Sequence, residues 1–293
     1  MLSKEVKMQQ EKGKNTDQTY EAELNRILSI AKSLGFRAEI KEVVKENYGR
    51  LKGVQIFPRK DSRGAAVIYP SSATLRLSDL ELRDKILESA AQAEAYEKRM
   101  ADIATLDVEK LRMHVCGIEQ NREMLTHCPH QEKDGIAFVS YLDYGDAIVM
   151  VSHSLVATWG IESEKLFAET WKQSMKHEPV TIEPINDMIE EEAPEEALEV
   201  DQGLLCVTNP AGHYGGACLF YPGVMEKLFA RFNGSYFAIP SSIHEWLVYP
   251  ANRGLKAADL TETLHSVNQT LEKRDILSEH LYYFDGKDLV ALG

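Results

Sequence analysis

Apolar positions recur at helical spacing over Tyr20, Leu24, Ile27, Leu28, Ala31 and Leu34, and Gly35 then supplies a stop. Residues 38–46 alternate only weakly. Gly53-Val54-Gln55-Ile56-Phe57-Pro58 and Ala65-Ala66-Val67-Ile68-Tyr69-Pro70 read as two strands of a hairpin around a turn at 59–64. A second helix is predicted from about Leu80, with Ser78 or Asp79 as its cap and Glu81 adding a partial capping-box signal. Leu82, Ile86, Ala90, Ala93 and Tyr96 continue its apolar face. A third helix is predicted over 108–125 from Leu111, Val115, Ile118 and Met124.

The pattern then repeats. Ile136-Ala137-Phe138-Val139-Ser140-Tyr141 and Ala147-Ile148-Val149-Met150-Val151 flank a tight turn, and a helix opens at Ser163. Leu204-Leu205-Cys206-Val207-Thr208 reads as a strand, 209–216 as a turn and Ala217-Cys218-Leu219-Phe220-Tyr221 as the return strand. Pro222 suits the first turn of the helix that carries Val224, Leu228 and Phe232. Strands are predicted at 236–240 and 243–250, a helix at 256–271 and a last hairpin turning at Asp285-Gly286. Hairpins followed by helices predict an α+β fold: repeated β-hairpin–helix units forming mainly antiparallel sheet covered by helices.

This order divides the chain into a flexible N-terminus (1–14), a helix–hairpin–helix region (15–105), a hairpin–helix region (106–180), an acidic linker (181–202) and a C-terminal α+β region (203–293). The linker carries Glu183, Glu190, Glu191, Glu192, Glu195, Glu196 and Glu199 among prolines, a run that repels itself and stays solvated.

The formal net charge of the 293 residues is −13, which opposes binding to a phosphate backbone. Arg50, Lys52, Arg59, Lys60 and Arg63 form one local basic cluster, too small to reverse that, so no nucleic-acid partner is expected. No apolar run reaches the roughly 18–20 residues of a membrane span, and Met1–Lys7 lack a signal-peptide pattern. A cytoplasmic location is expected. The four cysteines form no C-x-x-C pair, and Cys206 and Cys218 are expected to face each other as buried thiols across a hairpin. His127-Cys128-Pro129-His130 is the densest group of metal-ligand types. A closed zinc site takes four ligands from two such corners, and no second corner is present, so neither metal nor cofactor is expected.

Two segments invite chemistry. The turn from Asn209 through Gly215 and Gly216 to Ala217 is glycine-rich and could cradle an anion with backbone amides, but it matches no phosphate-binding motif. Pro240-Ser241-Ser242-Ile243-His244-Glu245 gathers hydroxyl, imidazole and carboxylate, the types of a nucleophile, its base and an orienting acid. On a strand, Ser242 and His244 would share a face, while Glu245 would point to the other, so an orienting carboxylate would come from elsewhere. The plain alternative gives the serines to turn amides and His244 to a structural hydrogen bond.

These segments, with Val44-Lys45-Glu46-Asn47, Asn121-Arg122-Glu123-Met124-Leu125, Trp159-Gly160-Ile161 and Asp275-Ile276-Leu277-Ser278-Glu279-His280, resemble a bacterial family known as domain of unknown function 5688. The resemblance spans about residues 20–290, and 203–250 is its most specific part. It implies an α+β fold in a cytoplasmic bacterial protein and transfers no catalytic residue. Gln131-Glu132-Lys133-Asp134 departs from the family's more basic, aromatic pattern.

The expected function is a non-enzymatic protein-binding or regulatory module that meets a protein partner or a second copy. Its binding residues would include Asn209, Gly215, Gly216, Ser241, Ser242 and His244. The alternative is a hydrolase or transferase using Ser242 and His244, with a carboxylate, beside the 209–217 turn.

Overall fold

The computed structural model describes residues 4–62, 64–145, 147–185 and 203–292, the side chains of 4–17 and 98–102 excepted. The chain divides into two compact units, one of Met1–Lys45 and Arg50–Thr105, the other of Glu46–Gly49 and Leu106–Gly293. The α+β prediction holds: helices accompany sheets whose described strand pairs are antiparallel.

In unit 1, α1 (Lys4–Ser33) is followed by β1 (Arg37–Lys45), β2 (Gly49–Phe57), β3 (Ala66–Ile68), the short α2 (Ser72–Arg76) and α3 (Asp79–Ile103). Strands lie in the order β1-β2-β3. The predicted hairpin is the β2–β3 pair, with Val54 opposite Ile68. Its weakly alternating neighbour, 38–46, is β1. Leu24, Ile27 and Ala31 of α1 meet Val54, Ile56 and Ile68 of the sheet and Leu82, Ile86 and Ala90 of α3 in one core. The capping box forms: the Ser78 amide donates to Glu81 Oε2 at 2.8 Å, and the Glu81 amide to Ser78 Oγ at 3.3 Å. Three members of the basic cluster are ion-paired locally, Lys52 with Glu21, Arg50 with Glu42, and Arg59 with Asp61, Glu94 and Glu97; Arg63 lies outside the described residues.

Unit 2 holds two sheets. In the first, β4 (Leu111–Gly117), β6 (Ile136–Asp143) and β5 (His130–Lys133) lie in that order, and β7 (Ile148–Met150) also pairs with β6. The second comprises β8 (Thr181–Pro184), β9 (Leu205–Thr208), β10 (Tyr236–Ser242), β11 (Glu245–Pro250), β12 (Tyr282–Phe284) and β13 (Leu289–Ala291), in the order β13-β12-β10-β11-β9-β8. Helices α4 (Ile118–Leu125), α5 (His153–Trp159), α6 (Ser163–His177), α7 (Val224–Phe232) and α8 (Ala257–Asn268) complete the unit. Alternate residues of β10 serve opposite faces. Tyr236 and Ala238 join Trp246, Met113 and Val115 in the main core, whereas Phe237 and Ile239 pack with Leu260 and Leu264 of α8. Burial on both faces is why these strands read as continuous apolar runs.

Three expectations are corrected. The helix predicted over 108–125 is a 3-10 turn (Val108–Lys110), then β4, and only from Ile118 a helix. All of Leu111–Gly117 is buried, so the polar Arg112 and His114 do not mark a wet helix face; both find polar partners inside. Arg112 donates to the carbonyl oxygens of Glu109 and Leu111, and His114 meets Glu46. Second, 217–221 is not a strand: Gly215–Phe220 is a 3-10 helix. Both edges of β9 are taken, by β8 and β11, so no return strand can pair there and Cys206 does not face Cys218 across a hairpin. Both thiols are buried and pushed up to about 12, first by burial. Third, the strand predicted over 243–250 begins at Glu245, because Ile243 and His244 form the turn after β10. Of the expected acidic linker, 181–184 is β8 and 186–202 lies outside the described residues. Among the described residues, no helix is long and apolar enough to cross a membrane.

Candidate functional site

The turn between β10 and β11 joins the loop after β9 through backbone contacts. The register of β10 and β11 shifts between Ile239 and Ser242, which frees the turn from the ladder. Thr208 Oγ1 donates to the His244 carbonyl at 2.8 Å, and the Gly216 amide donates to the Ile243 carbonyl at 3.1 Å. A Cβ on Gly215 would lie 2.7 Å from that His244 oxygen, and one on Gly216 would lie 2.6 Å from that of Ile243. Glycine is present for close approach of chains, and the Gly216 amide, which an anion cradle would need, is taken by the Ile243 carbonyl. The Trp246 indole, wholly buried, donates to the Gly216 carbonyl at 2.8 Å. Asn209 ties its own loop: Oδ1 accepts from the amides of Ala211 and His213, and Nδ2 donates to the His213 carbonyl.

The serine–histidine–glutamate segment is assembled, but not as nucleophile, base and acid. Ser242, buried, accepts the His244 amide proton on Oγ at 3.0 Å. Ser241 Oγ donates to Glu245 Oε1 at 3.2 Å, and Cys206 Sγ approaches Glu245 Oε2 at 3.8 Å. His244 Nδ1 accepts the Tyr214 amide at 3.0 Å, which leaves the proton of the neutral ring on Nε2. A carboxylate does approach that nitrogen from elsewhere in the chain: Asp275 Oδ1 lies 3.5 Å away. Burial holds the His244 imidazole below its ordinary pKa, and His213, stacked on it at 4.6 Å between centroids, acts in the same direction; Asp275 and Glu245 oppose.

Several stretches that carried the family resemblance converge here. The Ile243 amide donates to the Asp275 carbonyl at 2.8 Å. Asn47, in the left-handed region at φ 58°, gives its amide to Asn121 Oδ1 at 2.7 Å and its Nδ2 to the carbonyls of Arg274 and Ile276. Every one of these contacts shapes backbone.

His127, Cys128 and His130 do not form a metal centre. His130 bonds the Cys128 carbonyl and Glu132, and Cys128 is buried, its thiol raised to about 11 by burial and then by Glu46. Among the described residues, no group of three or more His, Cys, Asp or Glu side chains could hold a metal ion.

Beside the turn lies a cavity of about 360 Å³, lined by Tyr141 and Asp143 of β6, Glu178 at the end of α6, and Ala211, His213 and Tyr214 of the loop after β9. Tyr214 adopts φ 54°, unusual for an aromatic residue, and its ring lies 5.9 Å from that of Tyr141. Burial raises the Glu178 carboxyl to about 7; Asp143 pushes the same way, while Arg112, the Tyr141 hydroxyl and His114 pull it back. Tyr141 donates to Glu178 Oε1 at 3.4 Å, and burial raises its phenol. The His114 ring, 2% exposed, stands edge-on to Tyr214 and Tyr141. Its Nε2 meets Glu46 Oε1 at 2.6 Å, and its Nδ1 has no partner among the described residues.

The sequence reading missed Tyr141, Asp143 and Glu178 as site residues. They come from a strand, a turn and a helix end, and no local spacing links them. Tyr214 and His213 stood in the glycine-rich turn, the one signal that pointed here.

No curated protein and no solved structure matches the chain. Residues 18–286 match a family described as a family of unknown function, DUF5688, and the chain, matched over nearly its whole length, belongs to that family.

Proposed function

We propose that the protein is a non-enzymatic binding module that recognises a protein partner through the cavity between β6, the end of α6 and the loop after β9. One observation carries this reading. The segment Ser241–Glu245, which gathers the residue types of a catalytic triad, has the Ser242 hydroxyl and the His244 imidazole engaged with backbone amides, whereas the adjoining cavity presents two carboxyls and two tyrosines. Buried polar groups that serve the fold are paired inside it, and a cavity with converging polar and aromatic groups suits recognition.

The test is affinity capture from a lysate of the host with the full chain and with the double variant Asp143→Asn/Glu178→Gln. A protein retained by the wild type and lost from the folded variant supports the reading. Turnover of an activated ester or phosphomonoester that disappears in Ser242→Ala would overturn it in favour of a hydrolase.

A further inference from the structure

We propose that the cavity receives the cationic side chain of a partner, arginine or lysine, with Asp143 and Glu178 as counter-charges and the rings of Tyr141 and Tyr214 as walls. This rests on the binding reading above and adds the chemistry of the group that is bound.

The lining decides the sign of the ligand. Two carboxyls face the cavity and no lysine or arginine lines it. Arg112 is the cation close enough to act on Glu178, but it is buried and its guanidinium donates to the Glu109 and Leu111 carbonyls at 2.7 and 2.9 Å. It is therefore engaged inside the fold and unavailable as an anion receptor. An anionic ligand would meet Asp143 and Glu178 uncompensated. A cation gains from both carboxyls and from the faces of the aromatic rings. The volume, about 360 Å³, accommodates one side chain and excludes a folded element. Tyr214 is held in its left-handed conformation by the bond from its amide to His244, so the wall is set before any ligand arrives. The His114 ring stands edge-on to both tyrosines, and its Nδ1 has no partner among the described residues.

Glu178 faces Asp143 and Tyr141 on β6, Arg112 and His114 on β4, and Cys218 and Tyr221 at the 3-10 helix, and burial raises its carboxyl to about 7, so it holds a proton below that pH. A bound guanidinium or ammonium supplies the counter-charge, so Glu178 ionises and its proton leaves to solvent. Binding then strengthens by up to about tenfold per pH unit below 7 and levels off above it.

The probes are N-acetylarginine amide, N-acetyllysine amide, N-acetylglutamine amide and inorganic phosphate, titrated into the full chain between pH 5.5 and 8.5 by calorimetry and by NMR of the tyrosine rings. The expected result is binding of one or both basic amides, proton release that fades above pH 7, and at least tenfold weaker binding in Glu178→Gln. Tyr141→Phe, which keeps the ring and removes the hydroxyl, retains binding. Equal binding of the glutamine amide or phosphate would overturn the proposal. So would a pH dependence that persists in Glu178→Gln and disappears in His213→Gln. A partner captured through the cavity without any binding of basic amides would sink this inference and leave the binding reading standing. Basic amides that bind while no partner is captured would uphold the cation chemistry of the cavity and overturn its assignment to a protein partner.

Discussion

Two neighbouring regions of unit 2 turn partly buried polar side chains to opposite ends. Around 208–216 and 241–245, Thr208, Asn209, Ser242 and His244 all bond backbone groups of the two crossing segments. In the adjoining cavity, Tyr141 and Glu178 bond each other, and Asp143 caps its own turn through Gly145 while still lining the space. Polarity alone does not distinguish the two. What separates them is where the partners lie. A tight turn packed on a tight loop leaves many amides without a ladder, and nearby hydroxyl, amide and imidazole groups satisfy them. A gap between a strand, a helix end and a loop leaves polar groups facing each other across space.

The contrast is broken most forcefully at Gly216. In Gly216→Ala the new methyl would sit 2.6 Å from the Ile243 carbonyl oxygen and 2.7 Å from Val115 Cγ2, both within the core. Relief requires separating the two segments, which also disturbs the bonds from the Gly216 amide and from Trp246. A loss of about 3 kcal/mol or more is expected from urea unfolding midpoints. Asp143→Asn, at the cavity, should change stability by less than about 0.5 kcal/mol. Equal effects at both positions would erase the distinction between scaffold and cleft.

The fold was legible where one periodicity dominated. Leu24, Ile27 and Ala31, and likewise Leu82, Ile86 and Ala90, sit at helical spacing and all reach the unit 1 core. It was illegible at β4. There Leu111, Val115 and Ile118 mimic a helix face, while every residue from Leu111 to Gly117 is buried and the partner of His114, Glu46, stands 68 positions away in sequence. The return strand at 217–221 failed for a related reason: its apolar residues are buried as expected, but the edge of β9 they needed belongs to β11. For the site, the sequence displayed the Ser241–Glu245 segment because its residues are adjacent. It hid Tyr141 and Glu178 because 37 positions separate them.

The two regions also respond oppositely to pH, a middle-sized effect. The Glu178 carboxyl is raised from its ordinary value to about 7. Its neutral form favours folding, so its contribution is complete below about pH 4.5 and is lost as pH rises to about 7, amounting to about 2–3 kcal/mol. His244 is lowered from 6.5. Its contribution is present above pH 6.5 and is lost as pH falls through the lower folded-state value, where a proton on Nδ1 would oppose the Tyr214 amide. Unfolding free energies measured from pH 5 to 8 should show Glu178→Gln removing the loss toward neutral pH and His244→Gln removing the loss toward acid. Parallel curves for wild type and Glu178→Gln would mean that this carboxyl is already ionised in the native cavity.

Ser242→Ala is a milder change than Gly216→Ala and separates the two readings of the conspicuous segment. The hydroxyl accepts one amide proton, from His244 at 3.0 Å, in a buried setting. Its removal leaves that amide without the partner and should cost about 1 kcal/mol. The imidazole keeps Tyr214 on Nδ1 and Asp275 near Nε2, so the cavity wall stays in place and capture of a partner should match the wild type. A nucleophile behaves otherwise. Its loss would remove essentially all of a hydrolytic turnover while shifting the unfolding midpoint little. If Ser242→Ala produces that second pattern, the conspicuous segment becomes the reactive region and the cavity beside it becomes its substrate pocket. The Ser242 hydroxyl would then have to leave the His244 amide and swing toward the imidazole, a rearrangement visible as a change in the His244 ring resonances when substrate is added.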